Sequence, residues 1–335
     1  MQLTSSLDAH SARRRFLMTL AGTTLLAPLG AGAQAPVAFP VRPLTFLVPF
    51  TAGGPSDVGA RVIAIELAKL LGQPVVVENL AGAGGALAVQ KLLRAPADGH
   101  TLLYGGMSES LLVPMINPAL GYRPDSMLPL SMLSTVPVVF IAKPNFPANT
   151  MDELVALVRK NPGKFSYGSG GIGSFAHVMG ELVEQRAGMF MVHIPYKGGA
   201  QIVTDVIGGQ IDLGINTLSG AAQMIAARQV KAIGVSSRER VAAIKDVPTF
   251  NESTALKGLE MGVWAFAYTT PGTPAPVVAR LNQAINTALM MPAVQQSRAR
   301  LGAELPALTT PEQSRAYIAA QQQIFEPITR GIKPE

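Results

Sequence analysis

The chain has 335 residues, 48% of them hydrophobic and 14% charged; against a typical ~25% charged, this is an apolar-cored globular protein and not a disordered one. It contains no cysteine, which excludes disulfides, thiolate metal sites, a cysteine nucleophile and a lipid-bearing cysteine. The net charge is +6, but Lys and Arg are scattered singly without interleaved aromatics, a pattern that argues against nucleic acid and suits capture of anions.

Residues 1–33 read as an export signal. Arg13-Arg14-Arg15 leads into an apolar stretch over 17–29 and then into the small residues Gly30-Ala31-Gly32-Ala33, the three parts of a secretory leader. Two arginines, a variable residue, Phe16 and Leu17 resemble the twin-arginine motif, with Ala12 and Met18 in place of its usual Ser and Lys. Cleavage is expected after Ala33, because Pro36 obstructs a cut after Ala35. The apolar stretch is shorter than the ~20 residues of a membrane span. The mature chain is therefore expected to be free in a periplasm, as a monomer.

Along the mature chain, residues 44–50 form an apolar run ending in the glycine turn Thr51-Ala52-Gly53-Gly54-Pro55, a buried strand entering a turn. Val58, Val62, Ile65 and Ala68 follow at helical spacing, and Gly72 stops that helix. Val75-Val76-Val77 is a second strand, residues 82–85 a second glycine turn, and a short helix runs through Leu93. Residues 101–104 are a third strand. Alternation of this kind predicts a parallel sheet with right-handed crossovers. The pattern then repeats. A strand is expected over 136–142, and the capping box Thr150-x-x-Glu153 opens a helix closed by Asn161-Pro162-Gly163. Strands are expected over 165–169, 191–194, 211–215 and 230–235, with helices between them. A late strand over 262–268 precedes two or three helices, the last begun by Thr310-Pro311-Glu312-Gln313. The second α/β unit is thus inserted in the first: export signal 1–33, first lobe 34–140, second lobe 141–258, and a return strand with C-terminal helices over 259–335 completing the first lobe. Two lobes joined by two crossings make a hinged clamshell, with ligand at the carboxyl ends of the strands.

The glycines sit where a strand ends and a helix starts. There the first helical N–H groups lack backbone partners and the helix dipole adds positive potential, so a carboxylate fits without a basic side chain. One lobe offers Gly53 and Gly54 with Ser56 and Asp57; the other offers residues 171–174, with Ser169 before and His177 one turn later. Each turn alone also suits an ordinary strand-to-helix connection; as a pair, one per lobe, they point to an anion gripped from both sides. Asp57 would repel an anion, and its expected task is to accept N–H bonds and fix the loop. His177 is expected behind the ligand.

Other chemistries fit less well. Gly171-Ile172-Gly173-Ser174-Phe175-Ala176 matches a loose dinucleotide fingerprint, but the acidic residue expected ~20 positions on is missing, so no nicotinamide cofactor is expected. Gly106-Met107-Ser108-Glu109-Ser110 is one residue from a nucleophile elbow, and a secreted serine hydrolase would pair Ser108 with His177. Only His100, His177 and His193 remain in the mature chain, without metal-ligand spacing, so neither metal nor cofactor is expected.

Val48-Pro49-Phe50-Thr51-Ala52-Gly53-Gly54-Pro55-Ser56-Asp57 resembles the first-loop signature of the tripartite tricarboxylate transporter receptors, the Bug solute-binding proteins. Val76-Val77-Glu78-Asn79 with Gly82-Ala83-Gly84-Gly85, Ala97-Asp98-Gly99-His100-Thr101-Leu102, Tyr167-Gly168-Ser169, Pro195-Tyr196-Lys197-Gly198, Val247-Pro248-Thr249 and Pro271-Gly272-Thr273-Pro274 continue the resemblance over nearly all of the mature chain. It implies a two-lobed α/β clamshell of the periplasmic-binding-protein kind (type II-like), each lobe a mostly parallel sheet flanked by helices, with two crossover strands as hinge. It also implies a non-enzymatic receptor that closes on a small organic carboxylate and serves membrane permease subunits of such a transporter, or alternatively a sensor kinase. Carried over, it places Thr51, Ala52, Gly53 and Gly54 on one side of the ligand and Ser169, Gly173 and Ser174 on the other, with Phe50 and Tyr196 lining the cleft. Asn216 stands where many members have Asp, which argues against a cationic amine on the ligand. With Asp57, Ser108 and His177, these residues are the expected ligand-binding set.

Overall fold

Apolar Leu44–Val48 forms strand β1, and the chain turns through residues 49–54 into helix α1, Pro55–Leu71. The structure is a computed structural model that describes residues 39–196, 199–300, 303 and 308–333; the export signal and its cleavage site lie outside the described residues. Helix α1 begins with proline and ends where Gly72 takes a left-handed φ of 71°, its N–H closing on the Ala68 carbonyl, a stop that glycine makes without steric cost. Strands β2 (Val75–Asn79) and β3 (Thr101–Gly106) flank β1 in parallel, and helix α2 (Ala86–Arg94) connects them. Ala60, Ile63, Ala64 and Leu67 of α1 bury against Leu44, Phe46 and Val48.

Strand β4 spans Leu128–Ala142, twice the length expected from sequence. Pro129, Ser131, Ser134, Thr135 and Pro137 interrupt its apolar pattern, and register shifts between Pro129 and Ser131 and between Met132 and Ser134 absorb the irregularity, as bulges do. Its first part pairs antiparallel with β9 (Gly262–Thr269) up to Pro137 opposite Gly262. From Val138 onward it pairs antiparallel with β7 (Leu213–Thr217) and from Val139 also with β8 (Lys231–Val235).

The second lobe adds α3 (Met151–Lys160), β5 (Ser166–Ser169), α4 (Phe175–Ala187), β6 (Val192–Pro195), α5 (Gly199–Ile207) and α6 (Leu218–Ala226). Strand β5 runs parallel to β6 and β7. The whole sheet reads β2-β1-β3-β9-β4-β7-β5-β6, with β8 on β4. It is a two-lobed clamshell whose lobes are mostly parallel away from the crossing strands and share one strand. From Phe39 onward the chain packs as one unit.

Helices α7 (Ala275–Leu289), α8 (Pro292–Arg300) and α9 (Pro311–Thr329) end the chain. The Thr310–Gln313 capping box forms in full. At Thr150 only half forms: Thr150 accepts from the Glu153 N–H, while Glu153 reaches back to Asn149. Helix α7 packs in the first-lobe core, but α9 does not serve the first lobe alone. Its Tyr317 sits against Trp264 and Phe266, and its Phe325 meets Phe175 of the second lobe at 6.3 Å.

At the crossing, the buried Ser236 hydroxyl donates to the Met261 carbonyl and accepts from the Val138 N–H at 2.8 Å. It therefore ties both connecting segments together. Ser236→Ala strands both backbone groups, and leaving buried polar groups unpaired costs about 1–3 kcal/mol. A lower urea midpoint, with unfolding free energy reduced by that amount, is the expected result; an unchanged midpoint would show that strand pairing alone holds the hinge.

Candidate functional site

The first-lobe turn is organised by Asp57, 4% exposed in the first turn of α1. Its carboxylate accepts from the Gly53 N–H at 2.9 Å, Arg61 Nε at 3.0 Å and Asn79 Nδ2 at 3.0 Å. Asn79 Nδ2 also donates to the Phe50 carbonyl at 3.0 Å. The Arg61 guanidinium holds the Asp57 carboxyl below the usual range. Both Asp57 oxygens are thus engaged with the chain, and so is the Gly53 amide. Gly53 itself needs φ 83°. Among the described residues the N–H groups of Thr51, Ala52, Gly54 and Ser56 have no acceptor, so these are the open donors of the turn. Phe50 is 37% exposed at its edge.

Beside it lies the 82–85 turn, whose residues are absent from the expected ligand-binding set. Four consecutive residues take positive φ: Gly82 140°, Ala83 48°, Gly84 61° and Gly85 93°. The run is a left-handed turn, closed by the Gly85 N–H donating to the Gly82 carbonyl at 2.9 Å, and Ala83 is in a region that side chains other than glycine seldom occupy. Ala83 and Gly84 N–H have no acceptor among the described residues. A Cβ on Gly85 would stand 2.7 Å from Glu109 Cβ, so glycine is required there.

The second-lobe turn differs from expectation. The Gly173 N–H donates to His177 Nδ1 at 3.2 Å, and the Ser174 N–H to the Gly171 carbonyl at 3.1 Å. Ser174 Oγ is the N-cap of α4, accepting from the His177 N–H at 3.3 Å. These amides were expected to face ligand; the helix start consumes them instead, because a first turn must satisfy its own N–H groups when buried. Gly170 and Ile172 keep N–H groups without an acceptor among the described residues. Ser169 is fully buried, with Oγ 2.6 Å from His193 Nε2.

Ser108 reaches across from the first lobe, its Oγ accepting the Phe175 N–H at 3.2 Å. The Ser108–His177 pair of a hydrolase is therefore not formed; each group is bound elsewhere. Accepting at Nδ1 puts the His177 proton on Nε2, 3.6 Å from Glu181. The His177 and His193 rings stack at 4.0 Å. Burial, then the neighbouring His177, lowers His193 to about 4, so His193 stays neutral near pH 7. Tyr196 OH donates to Asp205 at 2.8 Å. Asn216 accepts from the Thr217 N–H at 2.9 Å and donates to the Gly199 carbonyl at 3.1 Å, which makes it a clamp on the first residue of α5.

One cavity joins the lobes. It measures about 270 Å³ and is lined by Ala83 and Gly84 of the first lobe, Val113 and Ile116 of the helical turn after Ser108–Leu112, and Ile172 and Gly173 of the second lobe. A π-turn over Ser108–Leu112 shifts the helical phase of the 113–116 segment, so its side-chain register is not legible from spacing alone. A larger cavity of about 540 Å³ lies at the hinge beside Thr135, Ser236, Arg238 and Glu260; it contains none of the glycine turns. Beneath the first-lobe turns, Glu109 is fully buried, accepts the Gly106 N–H, and leaves Oε2 without a partner among the described residues. Burial raises its carboxyl to about 7.

The family model described as tripartite tricarboxylate transporter family receptor matches residues 59–332. Protein BugT of Bordetella pertussis is 35% identical over 318 residues, 92% of this chain and 97% of BugT. Periplasmic binding protein BugD superposes with a TM-score of 0.80 at 35% identity, covering 89% of this chain and 100% of BugD. MatC from Rhodopseudomonas palustris with bound malate superposes with a TM-score of 0.80 at 32% identity, covering 87% and 100%.

Two outcomes follow from the burial and bonding of these carboxyls. A carboxyl raised from 4.5 to about 7 contributes stability below about pH 4.5 that is lost as pH rises through about 7. Glu109→Gln, which keeps the shape and stays neutral, is expected to gain up to about 3 kcal/mol over the parent at pH 8 and almost nothing at pH 4.5, measured by denaturant unfolding at both pH values. Asp57→Ala releases Gly53, Arg61 and Asn79 together and is expected to cost about 1–3 kcal/mol, with faster hydrogen exchange at the 50–54 amides.

Proposed function

We propose that this chain, which belongs to the tripartite tricarboxylate transporter receptor family, is a periplasmic solute receptor that captures a small organic carboxylate and delivers it to membrane permease subunits. The observation that carries this reading is that turns from both lobes, 82–85 and 170–174, line one cavity and keep N–H groups without internal acceptors. Main-chain donors beside a helix start favour an anion without any cation being buried. Thr51 and Ser56 add hydroxyls next to the open amides of the first turn. The malate bound by MatC supports a carboxylate as the class.

Capture is closure. Each lobe, bounded near residues 140 and 258, holds part of the cage, so the ligand binds the closed form better than the open one and draws the equilibrium toward it. The Ser108 bond to the Phe175 N–H is one contact that closure makes between lobes. No covalent step is required. Export follows the twin-arginine leader with cleavage after Ala33, and the mature receptor acts as a monomer.

Isothermal titration of the mature chain against mono-, di- and tricarboxylates is expected to find an acid binding with Kd at or below about 1 μM, roughly −8 to −10 kcal/mol. Its primary amide should bind at least 100-fold more weakly. Equal binding of acid and amide, or no heat with any acid, overturns the reading.

A further inference from the structure

We propose, on the premise that the carboxylate reading above holds, that the ligand's other end is a hydrocarbon body, so that this receptor selects small monocarboxylates over di- and tricarboxylates of the same length. The interlobe cavity has two chemically distinct parts. The 82–85 turn and Ile172 offer open N–H groups, a place for one carboxylate. The rest of the wall is made by the side chains of Val113, Ile116, Leu120 and Ile172. Among the described lining residues none is charged; the polar Asn117 accepts the Ala119 N–H at 3.2 Å through its side-chain oxygen, and its neutral Nδ2 is the one side-chain donor on that wall.

A second carboxylate in that space would meet a single neutral side-chain donor, Asn117 Nδ2, and an ionised group buried with so few partners is strongly disfavoured. A methylene chain needs none and gains by leaving water. The volume of about 270 Å³ lies just below the ~300–1,000 Å³ of pockets for drug-sized ligands, which suits a short aliphatic or single-ring acid. Because Ile172 and Gly173 come from the second lobe and Val113 and Ile116 from the first, the apolar wall is complete only when the lobes meet. A hydrocarbon tail therefore rewards closure as well as occupancy.

Hexanoate and adipate isolate the question, having the same carbon chain with one or two carboxylates; benzoate, adipate's amide and hexanol complete the set. Isothermal titration of the mature chain is expected to give hexanoate or benzoate at least tenfold tighter binding than adipate. Ile116→Lys, which puts a cation on the apolar wall, should reverse that order. Leu120→Lys, at a half-buried position, is the second variant in case the first does not fold by thermal melting. Adipate binding as tightly as hexanoate, or an unchanged order in a folded lysine variant, overturns this inference while leaving carboxylate capture standing. Hexanol binding as tightly as hexanoate overturns carboxylate capture itself.

Discussion

One strand belongs to both lobes, and the rest of the architecture is arranged around that constraint. Leu128–Ala142 pairs with β9 as far as Pro137 and with β7 and β8 from Val138 on. Each lobe's ladder fixes its own stretch of β4 in register, so the lobes can move relative to one another only where the partner changes. Proline lacks the N–H that a ladder would use, and Pro137 stands at that change. Ser236 supplies there the side-chain hydrogen bonds that the ladder does not. With the junction so placed, the carboxyl ends of β1, β2 and β5 are followed by the three glycine turns that adjoin the cleft.

The cleft's chemistry then reduces to which main-chain N–H groups are spent and which are left. The first lobe stiffens its turn with one charged acceptor, Asp57, neutralised by Arg61, and takes up a single turn amide in doing so. The second lobe uses neutral acceptors: Gly171, Gly173 and Ser174 of its turn donate to Ser169 Oγ, His177 Nδ1 and the Gly171 carbonyl. Among the described residues the open donors are therefore concentrated on the first lobe, while the second keeps Gly170 and Ile172.

Buried titratable groups behind the two walls work in opposite directions. Glu109, raised to about 7 by burial, favours the folded state when protonated. His193, lowered to about 4 by burial and His177, favours it when neutral; the unfolded chain takes up that proton below about pH 6.5, so this stability is lost as pH falls from about 6.5 toward 4. One group penalises alkaline conditions and the other acid ones; Glu109 packs against Gly85 of the 82–85 turn and His193 bonds Ser169 before the 170–174 turn.

Short-range pattern determined much of this protein. Apolar runs, helix-stop Gly72 and the Thr310 capping box marked elements that the fold contains, because their hydrogen bonds close within a few residues. The strand-to-glycine-to-helix order also marked the turns, since a helix start exposes N–H groups wherever it lies. Only the tertiary structure decided the first half of β4, whose prolines and serines are tolerated through pairing with β9 more than a hundred residues away, and the reach of α9 across both lobes through Tyr317 and Phe325. It alone decided, too, that Gly173 and Ser174 spend their amides inward while Ala83, Gly84 and Ile172 keep theirs. Whether an N–H is free depends on what folds back to meet it, and those partners are set by distance in space, not by position along the chain.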